Sequence, residues 1–402
     1  MVLPMQNAYS VSAPWEGDYD ESALQAWAES LRHRLQSPEV TLGLLFMSPR
    51  LFARAESILE LLRVHAQIPL LVGCSSLGLI AGEQEIEEGA GLVLGLYYLP
   101  RADLKTVRFT AEDLDACSTP EDWHRRNGIA PGDTNGWLVF ADPFHMDCEA
   151  WLKSWNQAYA PLPVLGGLAS GDLQSQSTQV YLNGDVFDEG GIALSIGGGV
   201  TLASVLSQGC MPIGDTWTIT KADRNIIYEI ANRPAYEVLA QTVNDLSPRE
   251  KQNARGNLFI GLVTDEYREE FHRGDFLVRN LIGADPKSGV LAVGAFPRPG
   301  QTIQFQRRDA DSSTRDITEH LETARRNLTQ QTIYGACLCC CNGRGHRLFG
   351  TPHHDAQRVQ EFLGPFGLTG LFCNGELGPV GGRSFLHGYT ASLALFVEKE
   401  PA

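Results

Sequence analysis

The chain has 402 residues, is 43% hydrophobic and 20% charged, and sets 32 basic against 48 acidic side chains, a formal net charge of −16. That length accommodates two or three domains, and that composition a sizeable core. The acidic balance excludes the basic face that non-specific nucleic-acid binding and polybasic membrane attachment require.

No stretch approaches the ~18 uninterrupted apolar residues that cross a bilayer. The first twenty residues lack the basic start and apolar run of a secretory signal. The nine cysteines, four of them within 337–341, do not read as a disulfide framework. A cytoplasmic location is expected, with no nucleic-acid partner and no membrane insertion.

Residues 1–17 read as a loose arm. Asp20–Gln36 follows as an amphipathic helix, with Leu24, Trp27, Leu31 and Leu35 at spacings of three and four. Thr41–Met47 is almost wholly apolar, the pattern of a strand covered on both faces. From there a unit of strand, helix, strand ending in small residues, glycine-rich loop and strand recurs. Its first copy is 41–50, 51–65, 68–78 and 89–99. The second is 136–143, 145–159, 162–172 and 190–198. A third is 334–345, a helix around 354–363, 367–379 and 387–396. Residues 258–264, 271–280 and 290–296 read as a more degenerate fourth copy. Ile226–Val243 reads as a helix, Asn244–Asn257 as an exposed connector and Phe305–Asp316 as a loop. Such repetition implies a mixed α/β fold of duplicated strand–helix–strand units in two domains. The expected division is an arm and helix at 1–37, then domains at 38–234 and 235–398.

The stretch FCNGELGPVGGRSFLHGYTASLALF (372–396) raises the question of a site. Asn374, Glu376, Arg383 and His387 surround Gly381 and Gly382. One reading is a strand-to-strand turn with polar caps. The other is the lip of a binding site: Asn374 both gives and accepts hydrogen bonds, Glu376 suits an ammonium, Arg383 a carboxylate, and His387 is a switchable donor. Asn342 and Arg344 follow a buried-looking strand, where open α/β sheets place binding residues.

Cys339 and Cys341 share one face of that strand and Cys340 takes the other. Without a second Cys-x2-Cys half, the run Cys337–Cys341 reads as core filler rather than metal ligands. Cys74–Ser75–Ser76 and Ala169–Ser170–Gly171–Asp172 occupy equivalent places in two copies but fit no Gly-x-Ser-x-Gly elbow. Asp172 and Asp285 suit a polar ligand or an Asx turn equally. Trp151 and Trp155, four apart on a helix, read as a core face. There is no phosphate loop or dinucleotide fingerprint. No catalytic residue, metal or cofactor is expected.

The same C-terminal stretch, with CCNGRGHRLFG (340–350), HHDAQRVQEFLG (353–364), IGLVTDE (260–266) and GDFLVRNLIGADPKSGVLAVGAF (274–296), resembles the C-terminal domain of the FIST family. LLVGCSSLGLIAGE (70–83) and VLGGLASGD (164–172) resemble its N-terminal domain. The resemblance implies a sensory module that binds small ligands, amino acids being one class, and passes a signal on. The span left outside the resemblance holds no output domain, so the signal is expected to pass through a separate protein partner. The expectation is therefore a non-enzymatic small-molecule sensor contacting its ligand through Asn342, Arg344, Asn374, Glu376, Arg383 and His387. The alternatives are an enzyme with a thiol nucleophile, pairing Cys74 or Cys341 with His387, and a protein-interaction scaffold.

Overall fold

The computed structural model describes residues 8–400 apart from 90, 172, 173, 175, 269, 272 and 273. In chain order it runs β1 (Ser10–Glu16), α1 (Glu21–Arg34), β2 (Leu42–Met47), α2 (Ala55–His65), β3 (Leu71–Ser75), β4 (Gly78–Ala81), β5 (Gln84–Ile86) and β6 (Gly91–Tyr97). Next come β7 (Ala102–Phe109), α3 (Ala111–Ala116), α4 (Pro120–Asn127), β8 (Gly136–Ala141), α5 (Cys148–Tyr159), β9 (Val164–Leu168), β10 (Val180–Leu182), β11 (Asp185–Phe187) and β12 (Gly191–Gly198). Then follow β13 (Val200–Ser207), β14 (Cys210–Asp223), β15 (Ile226–Ile230), β16 (Arg233–Pro234), α6 (Ala235–Asn244), α7 (Pro248–Ala254), β17 (Leu258–Val263), β18 (Phe276–Asp285), β19 (Val290–Val293), β20 (Thr302–Arg308) and α8 (Ala310–Asn327). The chain closes with β21 (Ile333–Cys341), α9 (His346–Phe349), α10 (His354–Leu363), β22 (Leu368–Cys373), β23 (Glu376–Val380), β24 (Arg383–His387) and β25 (Ala391–Glu398).

Two compact units result: residues 1–206 with 319–402, and residues 207–318. The larger unit contains all three clear sequence copies, one in each of three six-stranded sheets. Each copy pairs its first two strands in parallel across a helix: β2 with β3, β8 with β9, and β21 with β22. Each then sends its hairpin to another copy's sheet. The β4–β5 hairpin pairs with β22, β10–β11 with β3, and β23–β24 with β9, a closed cycle of three exchanges.

The period of two along a strand decides which core each side chain joins. Leu42, Leu44 and Phe46 enter a central core shared by the three sheets, with Leu138, Phe140, Leu165, Cys337, Cys339, Leu371 and Phe396. Leu45 and Met47 point the other way, onto Leu24, Ala28 and Leu31 of α1 and Ile58, Leu59 and Leu62 of α2. Behind the second sheet, Trp123, Trp151 and Trp155 pack with Trp137 and Phe109, Phe109 and Trp151 stacking at 4.3 Å. The core reading of Trp151 and Trp155 agrees with this. At the same register in each copy a glycine lies under the neighbouring strand. A Cβ on Gly73, Gly166 or Gly370 would fall 1.7, 2.0 or 2.1 Å from the carbonyl oxygen of Leu45, Val139 or Leu338.

The smaller unit is a ring of antiparallel strands in which β14, β20, β17, β18, β19 and β15 each pair on both sides, β15 returning to β14. Ile260, Leu262, Leu291, Val293, Ile303 and Phe305 fill it, with Val238 and Leu239 of α6.

Several expectations need correction. Residues 10–16 are no loose arm: they form an edge strand paired with β6. The fourth copy does not exist as such, because β17 and β18 are antiparallel neighbours, with no helix among the described residues between them. The helix expected over 226–243 starts only at Ala235, since 226–230 is the strand β15. The connector 244–257 holds α7, capped by Ser247 and Glu250. The loop 305–316 is the end of β20 and the start of α8.

Candidate functional site

Gly381 and Gly382, at φ of 59° and 80°, are the two-residue turn joining β23 to β24. Positive φ at both central positions is what a tight hairpin matched to strand twist requires. Arg383 stands just past that turn, opposite Val380 and exposed. Glu376 and His387 face each other across the far end of the same hairpin. Four residues of strand put Arg383 about 13 Å from His387 along the chain.

The structure joins Asn342 to Asn374. β21 and β22 run parallel with Cys341 opposite Cys373, so the next residues leave the sheet side by side. Asn342 Nδ2 donates to Asn374 Oδ1 at 2.8 Å. Asn374 is exposed and Asn342 half-buried.

Arg344, two residues on, turns inward and is fully buried. Its Nε donates to Asp355 Oδ2 at 2.6 Å and its Nη2 to Asp355 Oδ1 at 2.9 Å. The guanidinium also lies 5.4 Å over the Phe349 ring. Burial disfavours the Asp355 anion, but the Arg344 charge outweighs it and holds that carboxyl well below the usual carboxylate range. The Arg344 fork is thus engaged by a carboxylate of the same chain.

Glu376 is also buried. Its Oε2 accepts the Thr390 N–H at 3.0 Å and its Oε1 the Cys373 thiol at 3.3 Å. His387 is buried with Nε2 donating to the Gly378 carbonyl at 3.0 Å, which fixes the proton on that nitrogen. Of the six expected residues, then, Asn342 and Asn374 meet at the surface. Glu376 and His387 sit in the buried base of the hairpin, Arg344 lies beneath paired with Asp355, and Arg383 is at the tip.

The cysteines divide as the strand period dictates. Cys337, Cys339, Cys373 and Cys74 enter the central core, while Cys340 turns towards Asp355. Burial pushes the thiols of Cys74, Cys339, Cys340 and Cys373 well above their ordinary range. Cys341 is half-buried, its Sγ accepting the Gly343 N–H at 3.4 Å. Asp285 makes an Asx turn, accepting from Lys287 N and Ser288 N. Asp172 lies outside the described residues. Among the described residues no three His, Cys, Asp or Glu side chains are grouped to hold a metal ion.

Asp355 and Asp142 are among the buried acids that escaped the sequence reading. Asp355 stands in the stretch HHD, a weak helix-start signal. Asp142, at the end of β8, is fully buried. It accepts from Thr178 Oγ1 at 2.6 Å and from His145 Nδ1 at 2.9 Å. Only the placement of an aspartate just after an apolar strand could have flagged it.

Comparison with known proteins completes the picture. A FIST N domain matches residues 41–233 and a FIST C domain residues 235–379. This chain belongs to the FIST family. Membership supports a sensory, signalling role for it. Two FIST-length relatives are uncharacterized: Rv0628c of Mycobacterium tuberculosis, 33% identical over 95% of this chain and 97% of its own, and Mb0898c of Mycobacterium bovis, 34% identical over 95% and 96%. Among solved structures, a cyanuric acid hydrolase from A. caulinodans aligns with a TM-score of 0.29 and 9% identity over 96% of this FIST chain and 99% of that one. A likeness that low carries no argument about fold or activity. Among the described residues no helix is long and apolar enough to cross a membrane.

Proposed function

We propose that this FIST protein is a non-enzymatic small-molecule sensor. Its binding surface is the exposed end of β21 and β22, and its output passes through a separate protein partner. The observation that carries the reading is the Asn342–Asn374 amide pair. After their mutual hydrogen bond the two side chains still present a carbonyl oxygen and amide N–H groups, a donor and acceptor set suited to a neutral polar or zwitterionic ligand. Beneath them the Arg344–Asp355 pair is internally neutralised. It anchors the turn rather than reaching for ligand charge. An amino-acid ligand would therefore be held by its polar groups, without the Glu376–Arg383 pair that the sequence suggests.

A thermal-melt screen of the purified chain against amino acids and common metabolites tests the reading. A ligand at a hundred times its dissociation constant stabilises the native state by about 2.7 kcal/mol. A dose-dependent rise for one compound class supports the sensor. Flat melts across the panel with a well-folded protein contradict it.

A further inference from the structure

The β4–β5 hairpin of the first copy crosses to the third and pairs with β22 through Gly78–Ala81. Its second strand carries Glu85, and Glu87 follows one residue past the strand's end. Glu85 Oε1 accepts the Ala356 N–H at 2.9 Å, in the first turn of α10. Glu87 Oε1 accepts the His346 N–H at 2.7 Å, at the start of α9. Gly345, at φ of 68°, makes room: a Cβ there would fall 2.6 Å from the Glu87 carboxyl. His353, in the left-handed region at φ of 63°, takes the Glu85 N–H on its Nδ1 at 3.0 Å. The hairpin thus clips down the starts of α9 and α10, the segment that follows the turn carrying Arg344.

The clip places a carboxyl where an anion is poorly served. Glu85 is buried, and its Oε2 has no hydrogen-bond partner among the described residues. The groups around it are mostly acidic or already engaged. From α10 and its entry come Asp355, His353 and His354. From β21 and the following turn come Cys340 and Arg344, and from the hairpin itself Glu87. The cation within this cluster, Arg344, is bound at two points to Asp355, which His354 Nδ1 also contacts at 3.0 Å. Burial first, then the Asp355 charge, push the Glu85 carboxyl up to about 7.

We propose that the β4–β5 hairpin is a proton-operated latch, seated on β22, α9 and α10 while Glu85 is neutral and loosened when Glu85 ionises. Ionisation sets two further carboxylates, Glu85 and Glu87, beside the Asp355 carboxylate that Arg344 already pairs at two points. Lifting the hairpin returns Glu85 and Glu87 to water, at the cost of the caps on α9 and α10 and the β4–β22 pairing. The latch stands whether or not the neighbouring asparagines bind a ligand.

Hydrogen–deuterium exchange on the full chain at pH 6.0 and pH 8.5, corrected for intrinsic exchange, tests it. Peptides covering 78–87 and 346–356 should lose about tenfold in protection on going to pH 8.5, because the open state holds its proton less tightly than the seated one. Glu85→Gln, near-isosteric and unable to ionise, should keep the same protection at both values. Equal protection at both pH values in the unmodified protein overturns the latch without any variant being needed. A Glu85→Gln protein that loses protection as the unmodified one does overturns it too, by assigning the effect to another group.

Discussion

Arg344 and Asp355 form a two-point ion pair with almost no access to water, at 2.6 and 2.9 Å, linking the turn after β21 to the first turn of α10. Removing one partner strands the other charge in a low-dielectric interior. Arg344→Ala or Asp355→Ala should each cost about 3–5 kcal/mol. The double replacement Arg344→Met with Asp355→Leu should recover a large part of that loss, because no charge is left behind. Thermal unfolding of the three variants checks this, and single variants that melt like the unmodified protein would refute it.

Glu85 and Asp355 pull the pH dependence in opposite directions. The Glu85 carboxyl is raised from 4.5 to about 7 in the folded protein. Between those values the folded state keeps a proton that the unfolded state has released, so stability falls as pH rises through this window and levels off above it. The full difference is about 3 kcal/mol at 1.36 kcal/mol per unit. Asp355, lowered, contributes stability that is present above its unfolded value of 3.8 and lost as pH falls below it. Glu85→Gln should flatten the slope between pH 5 and 7 and leave the protein more stable than its parent at pH 8. Denaturant unfolding across pH measures both.

The three equivalent glycines offer a test of the threefold architecture. Gly73→Ala, Gly166→Ala and Gly370→Ala each drive a methyl into a carbonyl oxygen of the neighbouring strand. No flexible side chain can yield there. Each should abolish or severely reduce soluble folded protein, whereas Gly132→Ala, with open space around it, should be tolerated. A Gly166→Ala protein that folds and melts normally would contradict the packing described.

Iodoacetamide reports on the thiols. The thiolate is the reactive form, and burial holds Cys74, Cys339, Cys340 and Cys373 as neutral thiols. At neutral pH the native protein should label at half-buried Cys341 ahead of these four, which should react only once denaturant is added. Rapid native labelling of Cys373 or Cys74 would revive the nucleophile reading.

The sequence made the three strand–helix–strand copies legible because their strands are covered on both faces and read as unbroken apolar runs. The smaller unit hid itself. Ala231, Ala235, Leu239 and Val243 fall at helical spacing and carry the helix reading back through β15, and β18 ends in exposed residues that break any alternation. The hairpin exchange was beyond reach, since pairing Gly78 with Phe372 leaves no local trace. The candidate site suffered the same limit. Asn342 and Asn374 were identifiable as polar residues after apolar strands, but the parallel register that joins them is long-range. That Arg344 faces Asp355, eleven residues later and inside the protein, is a tertiary contact that composition does not show.

The central claim is that Asn342 and Asn374 together hold a small ligand. Isothermal titration of the compound that most raises the melting temperature, into the unmodified protein and into Asn374→Ala, tests it most directly. The account predicts a single-site isotherm for the first and at least a tenfold weaker one for the second, a loss of about 1.4 kcal/mol. Equal affinities, with Asn374→Ala folded as stably as its parent, would place the ligand elsewhere and contradict the site.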